Sequence, residues 1–81
     1  MRIQVVAQER VFEGTAMQIV EAMRSVAFAP SDVSLEAYMD WAVEQALSLS
    51  EVELVVQGET VQERAESFVA SLLREGLVVR T

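Results

Sequence analysis

The sequence predicts a small α+β domain, and three observations lead to this fold class. Stretches near the start and in the middle of the chain alternate apolar and polar residues, as strands do, and a short apolar run near the end also reads as a strand. Between them, longer stretches repeat apolar residues every three or four positions, as amphipathic helices do. The three glycines and the single proline fall where one pattern gives way to another. At this length, residues 1–81 are expected to form a single domain.

The first strand is predicted over residues 2–7, whose odd-numbered positions are Ile3, Val5 and Ala7. These three side chains share one face if the stretch is extended, because successive side chains of a strand alternate. Val11 and Phe12 are expected to continue this strand after a bulge or a tight reversal.

A first helix is predicted to begin after Gly14. Thr15 and Gln18 form a capping-box pattern, in which the two side chains satisfy free backbone amides at the start of the helix. The helix is expected to run to about Phe28 and to be followed by a turn at 29–32, which contains the proline.

The second helix has the clearest periodicity in the chain. Ser34 is its predicted N-cap, and the pattern ends within 48–50. One apolar stripe is expected to face the core, and it consists of Leu35, Tyr38, Met39, Ala42, Val43, Ala46 and Leu47.

A second strand is predicted over 52–57, followed by a third helix with a Thr60–Glu63 capping box. Gly76 is the expected C-terminal cap of that helix, and 77–80 is the last strand. The inner face of the third helix is expected to comprise Val61, Ala65, Phe68, Val69, Leu72 and Leu73.

The predicted element order is therefore β-α-α-β-α-β, in two layers. Chain direction sets strand one opposite to strands two and three. We expect a three-stranded mixed sheet of order 2-1-3, with the three helices on one face. The order 1-2-3, which keeps sequence neighbours adjacent, is the alternative.

The composition excludes most catalytic chemistry. The chain has no lysine, histidine or cysteine, so it offers no imidazole base, no thiolate and no lysine amine. The serines have no such partner and none lies in a G-x-S-x-G pattern. We expect a protein that is not an enzyme and that uses no cofactor.

The net charge of the chain disfavours some classes of binding partner. Thirteen acids against six dispersed arginines give a net charge of −7, which disfavours binding to nucleic acid or to an anionic membrane surface. No stretch is long enough to span a bilayer, so the cytoplasm is the default location. An acidic regulator that mimics nucleic acid and occupies a basic cleft is compatible with the same charge.

Carboxylates are the only plentiful functional groups. The pair Asp40 and Glu44 and the group Glu59, Glu63 and Glu66 could hold a divalent metal. Acids in the first turn of a helix are also favoured by its dipole, so a solvated face is the preferred interpretation. A carboxylate enzyme that uses a divalent metal ranks third among the functions.

Trp41 is the residue that points to a function. It lies roughly 120–130° from the centre of the apolar stripe of the second helix, at 100° per residue. Such a tryptophan either covers a loop or strand edge of its own chain or anchors a contact with another chain. The predicted contact residues are Trp41, Tyr38, Ala37, Gln45 and Ser48. The preferred function is a small acidic module for protein–protein interaction, an accessory protein that binds a protein partner or itself as a homodimer.

Overall fold

The computed structural model describes residues 1–26 and 33–81. The predicted end of the first helix near Phe28 and the predicted turn at 29–32 lie outside the described residues. The strands are Arg2–Val5 (β1), Arg10–Glu13 (β2) and Val78–Arg80 (β3), and the helices are Ala16–Val26 (α1), Leu35–Ser50 (α2) and Val61–Arg74 (α3).

The sheet confirms the predicted fold class and strand order. Its order is β2-β1-β3, with β1 in the centre. Ile3 lies opposite Phe12 on one side, and Val5 lies opposite Val78 on the other. The predicted pairing of the two ends of the chain is therefore present. Both pairings of β1 are antiparallel, as expected from the chain direction.

The identity of one outer strand differs from the prediction. β2 is formed by 10–13, and the predicted strand at 52–57 belongs to no sheet. The described element order is β-β-α-α-α-β. The reason is a tight reversal after β1, in which the Gln8 amide donates to the Val5 carbonyl and Glu9 adopts a left-handed φ of 54°. The short loop places β2 beside β1, where β2 occupies the edge of β1 predicted to pair with the 52–57 segment.

The helices cover one face of the sheet. Ile3, Phe12 and Val78 are buried on that face. Val11 and Val79 lie on either side of Gln4 on the other face, where both valines are exposed. Side chains on directly opposed residues point to the same side of a sheet, so the second face is open.

The core lies between the sheet and the helices. Four positions predicted for the inner face of α3 are buried, namely Ala65, Phe68, Val69 and Leu72. In α2 only Tyr38 and Met39 are buried. Leu47, predicted to be in the core, is 54% exposed, because it lies about 110° from the centre of the stripe at 100° per residue. That prediction was wrong.

The 52–57 segment is extended, but serine hydroxyls take the place of a neighbouring strand. The Val55 amide donates to Ser71 Oγ at 3.1 Å, and Ser71 Oγ donates to the Val55 carbonyl at 2.8 Å. The Ser67 hydroxyl donates to the same carbonyl and accepts a hydrogen bond from the Gln57 amide. The inward side chains are those that the alternation predicted, with Leu54 buried and Val52 and Val56 half-buried. The segment therefore packs along α3 instead of joining the sheet.

Two of the helices begin in the same way. Thr15 and Gln18 exchange backbone and side-chain hydrogen bonds, as do Thr60 and Glu63. The preceding glycines have positive φ angles, and a Cβ on Gly58 would lie 2.6 Å from Glu63 Cβ. Glycine is required there because an L side chain rarely adopts that conformation and would also collide with the cap. Both predicted capping boxes are confirmed.

Phe68→Ala tests the core. Phe68 is almost fully buried and its ring meets the Tyr38 ring edge-on at a centroid distance of 6.4 Å. We expect the substitution to lower the free energy of unfolding by about 3–5 kcal/mol, because it leaves a cavity. Urea unfolding measures the loss. Val79→Ala, on the open face of the sheet, should change the stability by less than ~0.5 kcal/mol.

Ser71→Ala tests the role of the serines. Ser71 is 1% exposed, so removing its hydroxyl leaves the Val55 amide without that partner. We expect a loss of about 1–3 kcal/mol in the free energy of unfolding. Ser67→Ala should cost less, because water can reach the amide of the exposed Gln57. Equal stability of Ser71→Ala and the exposed Ser48→Ala would contradict this role.

Glu51→Gly should stabilise the protein. Glu51 ends α2 with a left-handed φ of 55°, which costs a non-glycine residue about 1–2 kcal/mol. Part of this gain is lost because glycine loses more backbone conformational entropy on folding, which costs roughly 0.5–1 kcal/mol. The expected net gain of about 0.5–1 kcal/mol can be measured as a higher Tm. Glu53→Gly makes the same change of charge in the extended segment and should lower the Tm.

Candidate interaction groove

A groove opens between α2 and the end of the sheet, and it has a volume of about 520 Å³. We call it the α2 groove. Helix α2 contributes Tyr38, Trp41, Ala42, Gln45, Ala46 and Leu49. The remaining lining residues are Val5, Ala7, Gln8, Phe12, Met23, Val26, Leu54, Phe68, Leu72, Leu77 and Val78. None of these described residues is charged, and the volume lies within the usual range of ligand pockets.

Three aromatic rings connect the groove with the core. The Trp41 ring lies 5.9 Å from the Tyr38 ring, tilted by 34°. Tyr38 in turn meets Phe68 edge-on. Tilted and edge-to-face arrangements are favourable for aromatic pairs. Trp41 is thus held in place by a buried neighbour while it remains half-buried itself.

The rim of the groove is a row of three residues on α2. Trp41, Gln45 and Leu49 are spaced four residues apart and therefore follow one another along the helix surface. Leu49 is 79% exposed, the highest value among the large apolar side chains of the described residues. Tryptophan is enriched among the residues that dominate protein–protein contacts, and here it lies beside an exposed leucine in an uncharged groove.

A row of acids runs beside this rim. Glu36, Asp40 and Glu44 are also four residues apart and are all exposed. Asp40 and Glu44 directly precede Trp41 and Gln45, so the two rows are separated by roughly 100° around the helix. Arg64 of α3 approaches Glu36 at 3.8 Å, and an exposed pair of this kind contributes little to stability.

The structure brings together three of the five predicted contact residues. Trp41, Tyr38 and Gln45 line the groove. Ala37 and Ser48 are exposed on α2 but do not line it. Leu49 was missed, because it lies between two serines beyond the regular stripe. Its position four and eight residues after Gln45 and Trp41 was the available signal.

Tyr38 is the only titratable side chain among the described residues that line the groove. Burial raises the pKa of the Tyr38 phenol, which keeps the ring neutral well above neutral pH. Within 1–26 and 33–81, no three acidic side chains are close enough to hold a metal ion. The serines of α3 are engaged with the backbone of the 52–57 segment. The groove therefore presents apolar surface and a few hydrogen-bonding groups.

Comparisons with protein-family models, curated proteins and solved structures gave no match. Among the helices of the described residues, none has the length and hydropathy that a membrane span requires. The function must therefore be inferred from the site.

Proposed function

We propose that this chain is a non-enzymatic protein–protein interaction module that binds an apolar segment of a partner protein in the α2 groove. The observation that carries the proposal is the groove itself. It is uncharged along its described lining although the chain has a net charge of −7. Self-association and a cytoplasmic location, both expected from the sequence, remain predictions.

The acid row defines the chemistry of the partner. A segment whose apolar side chains enter the groove would place its flanking side chains beside Asp40 and Glu44. Basic residues at those positions gain from the negative potential, and acidic ones are repelled. The proposed partner segment is therefore amphipathic, with apolar residues for the groove and arginine or lysine beside them.

A peptide titration tests the proposal. The probe is a synthetic amphipathic peptide of leucine and arginine in helical period, compared with its leucine–glutamate counterpart. The leucine–arginine peptide should move the emission of Trp41, the single tryptophan, to shorter wavelength as the indole loses water. The glutamate peptide should cause no shift.

Leu49→Ala distinguishes apolar binding in the groove from binding by charge attraction alone. We expect it to weaken the binding of the arginine peptide roughly tenfold, since burying a leucine side chain is worth about 1.5–3 kcal/mol. Val79→Ala, which removes an exposed side chain from the opposite face, should leave the affinity unchanged. If Leu49→Ala leaves the affinity unchanged and high salt abolishes binding, the proposed binding in the groove is contradicted. The acidic regulator that mimics nucleic acid would then be favoured.

A further inference from the structure

Tyr38 carries a hydroxyl group that has no hydrogen-bond partner in the part of the chain that the structure describes. Its ring packs against those of Trp41 and Phe68, and the residue is 6% exposed. Among residues 1–26 and 33–81, none forms a hydrogen bond with this hydroxyl. Nor is any polar side-chain atom of the same residues both enclosed and without a partner. Because Tyr38 lines the α2 groove, its hydroxyl is recessed but reachable from there.

A recessed hydroxyl of this kind disfavours a purely apolar partner. In the unbound protein, a reachable polar group that has no protein partner bonds to water. An apolar side chain that covers the hydroxyl removes this water and supplies no acceptor. The unpaired donor then lowers the affinity roughly fivefold to a hundredfold. A partner that brings an acceptor to the hydroxyl avoids this loss, so the groove discriminates between the two.

The surroundings of Tyr38 define the acceptor. Burial raises the pKa of the Tyr38 phenol, so the group stays protonated near neutral pH and acts as a donor. The acceptor must be neutral, because a carboxylate would lose its hydration in an uncharged groove and would be repelled by the exposed Asp40 and Glu44.

The depth of the hydroxyl sets the length of the acceptor side chain. Serine and threonine carry their oxygen directly on Cβ and reach less far from the backbone. The backbone carbonyls of a helical partner segment are bonded within that helix. Glutamine and asparagine place a neutral acceptor oxygen at the end of a longer side chain, and glutamine reaches furthest.

We propose that Tyr38 is a specificity-determining residue of the α2 groove, and that the partner segment presents a carboxamide side chain whose oxygen accepts a hydrogen bond from the Tyr38 hydroxyl. The inference rests on the proposed function and deepens it. It adds one polar position to the apolar face of the partner, at the point where that face covers Tyr38.

Guest peptides test this inference by isothermal titration calorimetry. The host is the leucine–arginine peptide, and each leucine is replaced in turn by glutamine or by methionine, which has a similar length but only a weak acceptor. The measured quantity is the affinity for the glutamine peptide divided by that for the methionine peptide. At one position, this ratio should be roughly twofold to tenfold higher for the parent protein than for Tyr38→Phe.

The variants are matched to isolate the hydroxyl. Tyr38→Phe keeps the ring that packs against Trp41 and Phe68. Ser48→Ala removes a hydroxyl from an exposed position of α2 that does not line the groove, and its ratio should equal that of the parent. A glutamate guest should bind more weakly than the glutamine guest. Thermal melts show that each variant is folded.

The inference and the proposed function fail in different ways. If the leucine–arginine peptide binds but the ratio is the same for the parent and Tyr38→Phe at every position, the inference alone is wrong. A Tyr38 that only supports the fold gives this result, because its loss affects all peptides alike. A glutamate guest that binds as tightly as the glutamine guest also overturns the neutral acceptor. If no peptide binds to the parent, the proposed function is wrong and the inference fails with it.

Discussion

The course of the chain between α2 and α3 depends on the hydrogen bonds between Ser71 and the backbone of Val55. The sides of a helix cannot serve as a neighbouring strand, because the helix uses its own backbone groups internally. Serines four residues apart solve this problem for α3. They are about 6 Å apart along the helix axis, close to the roughly 6.6–6.8 Å that separates alternate residues of a strand. Ser71 and Ser67 can therefore accept hydrogen bonds from the backbone amides of Val55 and Gln57, respectively. The extended segment lies along the helix, and its amides on that side have hydrogen-bond partners.

The end of α2 lies next to this attachment, and both border the groove. The Val52 amide closes the last turn of α2 by bonding to the Ala46 carbonyl. Ala46 and Leu54 both line the α2 groove, so the end of α2 and the 52–57 segment each form part of its wall. Leu49 extends beyond the core because the chain must turn at Glu51 to reach α3. Its exposure follows from the connection and not from a lack of apolar neighbours.

The sequence predicted side-chain burial better than backbone pairing, and the 52–57 segment shows why. A period of two reveals which side chains face inward, and Val52, Leu54 and Val56 do so. It does not reveal whether the backbone bonds to a strand or to hydroxyl groups, and serines on a helix carry no separate signal for this role. The tight reversal at Glu9 decided which segment paired with β1. The capping boxes were predictable because both partners lie within four residues. The groove was predictable only at Trp41, Tyr38 and Gln45, because its other walls come from distant parts of the chain.

The distribution of charge sets the physical requirements of the proposed groove contact. The acids of α2 are exposed beside the groove, whereas the lining of the groove is uncharged. A basic partner would be attracted before contact, and its apolar side chains would then supply the close packing. A second copy of the chain carries the same net charge of −7 and would be repelled at long range. The excess of acids and the uncharged lining together favour a basic, amphipathic segment over an acidic one.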